Sequence, residues 1–291
     1  MNTYITLYLT CFIITGMFSQ VMASQQDKQV EKVKIASLSF VPVKWDKETN
    51  LKTIEAMARE AAEQAAKIIV TSEGAVDGYL IEEVLKSKNR LKLERQFIQI
   101  AESTDGPAIS SMKNLARELK VAMIIGFLEK DQDILYNSCA WIDSSGFIRH
   151  VHRKTHMAQA YFEPSFYHPG DKVEAFDTDF GRFGIMICYE RQIPEIPTAL
   201  ALDGAQVIFN PSYGSRGEWN DIMLRTRARD NNVYLIFTHP LQSLIIDPKG
   251  NIVRNVMDKE GITYAEIEIG AYESKKLTKR RPNVFIEKLS Q

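Results

Sequence analysis

A chain of 291 residues with 45% hydrophobic content can bury a full core, either as one large α/β domain or as two small ones. Its 36 basic and 37 acidic side chains leave a formal net charge of -1, which supplies no broad positive field for nucleic acid and no polybasic signal for anionic lipid. Neither partner class is favoured, and composition alone indicates a globular protein of enzyme size.

The first segment stands apart from the rest. Ile5 to Phe18 is almost wholly apolar and uncharged, and Val21-Met22-Ala23 places small or apolar residues where a signal peptidase would cut. Residues 1–23 therefore read as an export signal, and the protein as periplasmic or secreted. An uncleaved anchor is the alternative, because residues 5–23 approach the ~20 needed to span a bilayer, and membrane contact is expected only in that case. Cleavage would remove Cys11 and leave Cys139 and Cys188, too few for a disulfide framework. One bridge between them would exclude a free thiol at position 188.

After a polar lead-in from Gln25 to Lys32, Val33 to Phe40 has strand composition, and Asn50 to Lys67 spaces Leu51, Ile54, Ala58, Ala61 and Ala65 as a helix does. Ile68-Ile69-Val70 is the short apolar run of a buried strand. Ser110 to Lys120 reads as a helix and Val121 to Leu128 as a buried strand. Asn137 to Asp143 is expected to pair with Phe147 to Arg153 across a Ser145-Gly146 turn. The pattern continues with a strand at Arg182 to Cys188, a helix at Ile196 to Asp203 closed by Gly204, and a strand at Gln206 to Phe209. A helix at Glu218 to Asn231 and a strand at Val233 to Thr238 follow. The last elements are a hairpin turning at Pro248-Lys249-Gly250 and a strand at Thr263 to Ile269. No repeat or linker divides the chain, so one domain is expected over residues 33–291, an α/β fold of mixed sheets covered by helices.

Three of these strands end in reactive groups. Glu73 follows Ile68-Ile69-Val70, and Gly74 after it permits a sharp departure of the backbone. Cys188 follows Ile185-Met186-Ile187. A polar stretch and Pro194 then break the strand, so the thiol can face a cleft rather than the core. On a continuing strand, His150, His152, Lys154 and His156 would share one face, which offers a rival reading as a histidine-based metal hydrolase. No Asp or Glu completes a recognised ligand motif near those histidines.

Together, Glu73-Gly74 with Gly78-Tyr79, Arg153-Lys154-Thr155-His156, and Ile187-Cys188-Tyr189-Glu190 through Pro194-Glu195 resemble the nitrilase, or carbon-nitrogen hydrolase, superfamily over nearly the whole mature chain. Tyr136-Asn137-Ser138, Pro169-Gly170, Asn210-Pro211-Ser212 and Ile246-Asp247-Pro248-Lys249-Gly250 fall in the matching order. The resemblance implies a four-layer αββα sandwich, a homodimer or higher homo-oligomer, and a catalytic set of Glu73, Lys154 and Cys188 that needs no metal or cofactor. It adds Glu163, ahead of Pro169-Gly170, as a second site carboxylate. Tyr189 after the cysteine resembles the amidase-like branches, so the expected substrate is a small amide or carbamoyl compound, with nitrile hydrolysis by the same residues as the alternative. Tyr79, Tyr189, Tyr213 and Trp219 are the expected pocket residues. Two departures stand out: Ser72 replaces the family's usual proline, and Thr238 to Leu244 is shorter than its usual loop.

Overall fold

A computed structural model describes residues 31–270 of the chain. The expected export segment lies outside the described residues. No described helix is long and apolar enough to cross a membrane.

Among the described residues, twelve strands form two six-stranded sheets. The first has the order β12-β1-β2-β3-β4-β5, built from β1 (Glu31–Ser39), β2 (Ile68–Val70), β3 (Ala122–Asp131), β4 (Ile134–Ile142), β5 (Ile148–Arg153) and β12 (Gly261–Ile269). The second has the order β11-β10-β9-β8-β7-β6, built from β6 (Phe176–Thr178), β7 (Gly181–Ile185), β8 (Val207–Pro211), β9 (Tyr234–His239), β10 (Gln242–Ile246) and β11 (Ile252–Met257). Each sheet has a parallel centre, β1-β2-β3 or β7-β8-β9, flanked by antiparallel strands. Parallel neighbours require crossovers, and helices supply them. These are α1 (Lys47–Glu63), α2 (Ile81–Lys86), α3 (Arg90–Ile100) and α4 (Pro107–Leu119) for the first sheet, and α5 (Glu195–Leu202) and α6 (Glu218–Asn231) for the second.

Three apolar layers separate four layers of backbone. Between the sheets lie Val33, Ile35, Ile68, Ile124 and Trp141 of the first and Phe183, Ile185, Phe209, Ile236 and Ile245 of the second. Trp141 meets Phe183 edge-on with centroids 5.6 Å apart. Outside the first sheet, Ile54, Ala58 and Ala61 of α1 and Ile109, Met112 and Ala116 of α4 cover Ala36, Ile69 and Met123. Outside the second, Leu200 of α5 and Leu224 and Ala228 of α6 cover Ile208, Leu235 and Phe237. The fold is thus an αββα sandwich. Each large side chain fully buried in it contributes about 1.5–3 kcal/mol. A small buried polar seam, Ser37 to Thr238 and Ser243 at 2.7 Å and Ser39 to Ser243 at 2.9 Å, fixes one sheet against the other.

Several expected boundaries shift for identifiable reasons. Asp46 caps α1 by accepting from Thr49 N at 3.0 Å, so the helix starts ahead of Asn50 and ends at Glu63. The strand expected to reach Cys188 stops at Ile185, and Met186-Ile187 continue buried but outside the ladder. β9 and β10 join through Pro240-Leu241 alone, a tight connection in keeping with the short segment there.

Candidate active site

Glu73, Lys154 and Cys188 each follow a strand, β2, β5 and β7, and such carboxyl ends are where α/β sheets gather ligand-facing groups. The backbone around Glu73 is closely fitted. Gly74 has φ +59°, and Gly126 on β3 lies so near that a Cβ there would sit 2.3 Å from Ser72 O. A side chain at position 126 would push the glutamate segment off the sheet. Asp77 ties down the following turn by accepting from Leu128 N at 2.7 Å and Tyr79 N at 3.1 Å.

Lys154 is fully buried and donates to Glu73 Oε1 at 2.9 Å and to Glu163 Oε1 at 2.7 Å. Burial by itself would lower its pKa, but the charges of Glu73, Cys188 and Glu163 reverse that and hold the ammonium well above its ordinary range. Asn137 on β4 donates to Glu73 Oε1 at 2.7 Å. Glu73 Oε2 is buried and has no hydrogen-bond partner within the protein. Glu163, on a short 3₁₀ turn, accepts Tyr79 Oη at 2.8 Å on Oε1 and Ala158 N at 2.6 Å on Oε2. Both of its oxygens are engaged, so it anchors the ammonium.

Cys188 opens a 3₁₀ turn, Cys188–Gln192, and has φ 46°, a left-handed conformation that costs a non-glycine residue roughly 1–2 kcal/mol. This strained corner turns the side chain out of the strand direction. Cys188 is 5% exposed, with Gly214 beside its sulfur. Burial, then the charge of Glu73, push the thiol above its ordinary value, while Lys154, Arg191 and the main chain at Tyr213 pull it down. Lys154 touches Glu73 directly, and the charges of both act on the Cys188 thiol. Cys139 and Cys188 are both free thiols, so the alternative of a bridge between them is overturned.

The expected aromatic residues divide. Tyr79 and Tyr213 stack with centroids 4.9 Å apart, and the Lys44 ammonium lies 4.6 Å over the Tyr213 ring. Tyr189 is half-buried directly after Cys188. Trp219, expected in the pocket, is instead 82% exposed on α6. Its neighbour Asn220 turns inward to Arg191, and adjacent helix positions point about 100° apart, so Trp219 projects away.

The histidines do not converge as the rival metal reading requires. β5 ends at Arg153, which breaks the period-two face before Lys154 and His156. His150 stacks on Phe176 at 4.3 Å, and burial together with the nearby His152 lowers its pKa to about 4. His156 is exposed and bonded to Thr155. His152 pairs with Glu190 at 2.7 Å. Among the described residues no three His, Cys, Asp or Glu side chains form a metal-binding group. A cleft of about 470 Å³ beside β5, lined by Glu129, Asp131, His150, His152, Arg153 and Lys172 among others, includes none of Glu73, Glu163 or Cys188.

Sequence reasoning missed three contributors. Asn137 showed itself as part of a motif but without a role; Glu190 and Arg191 sit in the segment after Cys188, where their partners are distant in sequence. Glu190 is fully buried, accepting Thr155 N at 2.8 Å, Thr155 Oγ1 at 2.6 Å and Ile187 N at 2.5 Å besides its contact with His152. It joins the lysine segment to the cysteine segment across the two sheets.

The fold is an αββα sandwich with buried carboxylates, an ammonium and a thiol after its strand ends, and comparison with known proteins gives the family. The sequence profile of the carbon-nitrogen hydrolase family matches residues 34–276, and the chain belongs to that family, within the nitrilase superfamily. It is an enzyme acting on carbon-nitrogen bonds other than peptide bonds. It is 29% identical to N-carbamoylputrescine amidase of Solanum lycopersicum, covering 87% of this chain and 93% of the relative. Omega-amidase NIT3 of Saccharomyces cerevisiae is 26% identical, covering 86% and 94%. The crystal structure of Saccharomyces cerevisiae Nit3, described as a member of branch 10 of the nitrilase superfamily, superposes with a TM-score of 0.70 at 26% identity, covering 82% of this chain and 91% of that one.

Proposed function

We propose that this enzyme hydrolyses a small amide or carbamoyl compound through a thioester on Cys188, releasing ammonia. The observation that carries the reading is Glu73 Oε2, a buried carboxylate oxygen with no protein partner, set among Lys154 and Cys188. That oxygen is free to receive a proton. The amidase names of the relatives support the substrate class.

In this reading the Cys188 thiol gives its proton to Glu73, and the sulfur forms a bond to the carbonyl carbon. General-base assistance of this kind contributes typically about 10²- to 10⁴-fold. The oxyanion is held by the N–H of Lys154 left over from its two carboxylates and by the main-chain N–H of Tyr189, since the first turn of a helix leaves its leading donors without internal acceptors. Glu73 returns the proton to the nitrogen, the carbon-nitrogen bond breaks, and ammonia leaves a thioester. Water then yields a proton to Glu73 and attacks the thioester, freeing the acid and the thiol. Glu163 and Tyr79 keep Lys154 in line throughout.

The test is ammonia release from a panel of amides, carbamoyl compounds and nitriles, with mass spectrometry of the acid-quenched enzyme. The acyl adduct is expected on Cys188, and Cys188→Ala is expected to retain less than about a thousandth of the activity. Full ammonia release by Cys188→Ala would refute the nucleophile.

A further inference from the structure

A cation at the sulfur has no part in the reaction just described. Three residues per turn set positions i and i+3 of a 3₁₀ helix above one another, so in the turn Cys188–Gln192 the side chain of Arg191 stands over the thiol. Its Nη1 lies 3.5 Å from Cys188 Sγ. The rest of the guanidinium is held: Nε donates to Asn220 Oδ1 at 2.6 Å, Nη2 donates to Ser215 O at 2.6 Å, and its centre lies 5.5 Å from the Phe237 ring centroid.

Arg191 is 2% exposed, and among the described residues no carboxylate forms an ion pair with it. A guanidinium does not lose its proton in a protein, so this buried charge needs a counter-charge from elsewhere. With Glu73 and Glu163 ionised and Lys154 and Arg191 cationic, the four groups sum to zero. Proton transfer from Cys188 to Glu73 keeps that sum. It moves the negative charge from the carboxylate that Lys154 holds to the sulfur that Arg191 faces.

We infer that Arg191 is the counter-ion of the Cys188 thiolate, a further catalytic residue that touches the reacting sulfur and favours its ionised form. The inference rests on Cys188 being the nucleophile. The charges of Glu73 from the end of β2 and Lys154 from the end of β5 also act on the sulfur, Tyr79 in the turn after Glu73 is within reach of its charge, and His239 at the end of β9 is within reach of that of Arg191. Of these, Lys154 is already engaged by two carboxylates, which leaves Arg191 as the cation whose charge is uncommitted.

The experiment follows the rate of Cys188 alkylation by iodoacetamide against pH, alongside steady-state ammonia release, in the full chain and in Arg191→Met, Arg191→Lys and Asn220→Ala. In Arg191→Met the alkylation profile is expected to move up by about one pH unit, which slows alkylation roughly tenfold at neutral pH. kcat is expected to fall by at least the same factor, with KM little changed. Arg191→Lys restores a cation without the planar fork and should recover part of the shift. If Arg191→Met does not fold, Asn220→Ala carries the test: it frees Nε, keeps the charge, and should move the profile the same way by less. A folded Arg191→Met protein with the wild-type alkylation profile overturns the inference. So does one whose KM rises while the profile stays in place, which would make Arg191 a substrate contact. Because alkylation is read without substrate, its outcome is separate from that of Cys188→Ala, on which the nucleophile reading stands or falls.

Discussion

Glu73 and Glu190 are both fully buried and both beside a basic side chain, yet they are finished differently. Glu190 has two hydrogen-bond partners on each oxygen, drawn from Thr155 and His152 on one side and Ile187 on the other. Glu73 has Lys154 and Asn137 on one oxygen and nothing on the other. A carboxylate with every lone pair engaged braces the strand ends and has no room for a proton. A carboxylate half engaged is oriented and still open, which is the condition for a base.

Glu73→Gln strikes the open member of this pair and carries the largest expected effect. The amide keeps the shape and the bond to Lys154 but accepts no proton at neutral pH, so kcat should fall by about 10²- to 10⁴-fold while the unfolding midpoint in urea stays close to wild type. Residual activity near wild type in a folded Glu73→Gln protein would erase the contrast.

Glu190→Gln reverses the emphasis, with stability as the readout. All the partners of Glu190 are donors or adaptable, and an amide NH₂ must face one of the N–H groups, so a loss of about 3 kcal/mol is expected by urea unfolding at neutral pH. The pH dependence sharpens the point. Burial alone would raise the carboxyl, but His152, Ile187 N and Thr155 outweigh it and hold the pKa at about 2, below the ordinary 4.5. A depressed carboxyl contributes fully above 4.5 and loses its contribution as pH falls toward 2. The difference in stability between wild type and Glu190→Gln should therefore shrink across that window.

The smallest effect is expected at the second cysteine. Cys139 lies inside β4 in regular strand backbone, fully buried, and burial pushes its thiol well above the ordinary value. Cys139→Ala should cost about 1 kcal/mol through a small cavity and leave ammonia release close to wild type. A large loss of activity there would mean that the two buried thiols are less distinct than their backbones suggest.

The strands and helices that carry a clean apolar period were legible in advance, and so was their order. α3 was not, because Arg90-Leu91-Lys92-Leu93 alternates like a strand and Phe97 alone of its residues is buried. β6 is three residues long and too short to show a period. The strand expected through Cys188 was drawn too long because Met186 and Ile187 remain buried after the ladder ends, and apolar composition reports burial rather than pairing.

By itself the chain determined the alternation of elements, the covering of mixed sheets by helices, and the reactive residue types that stand after three strands, because local periodicity and strand-breaking residues are written in neighbouring positions. Tertiary structure alone decided that Asn137 and Lys154 share one oxygen of Glu73, that Glu190 spans two sheets, that Arg191 covers the thiol while Trp219 faces outward, and that three histidines on one stretch serve three separate neighbourhoods. The physical reason is that hydrogen-bond satisfaction in a buried site depends on which partners arrive from 29 to 81 positions away, and no local pattern records their arrival.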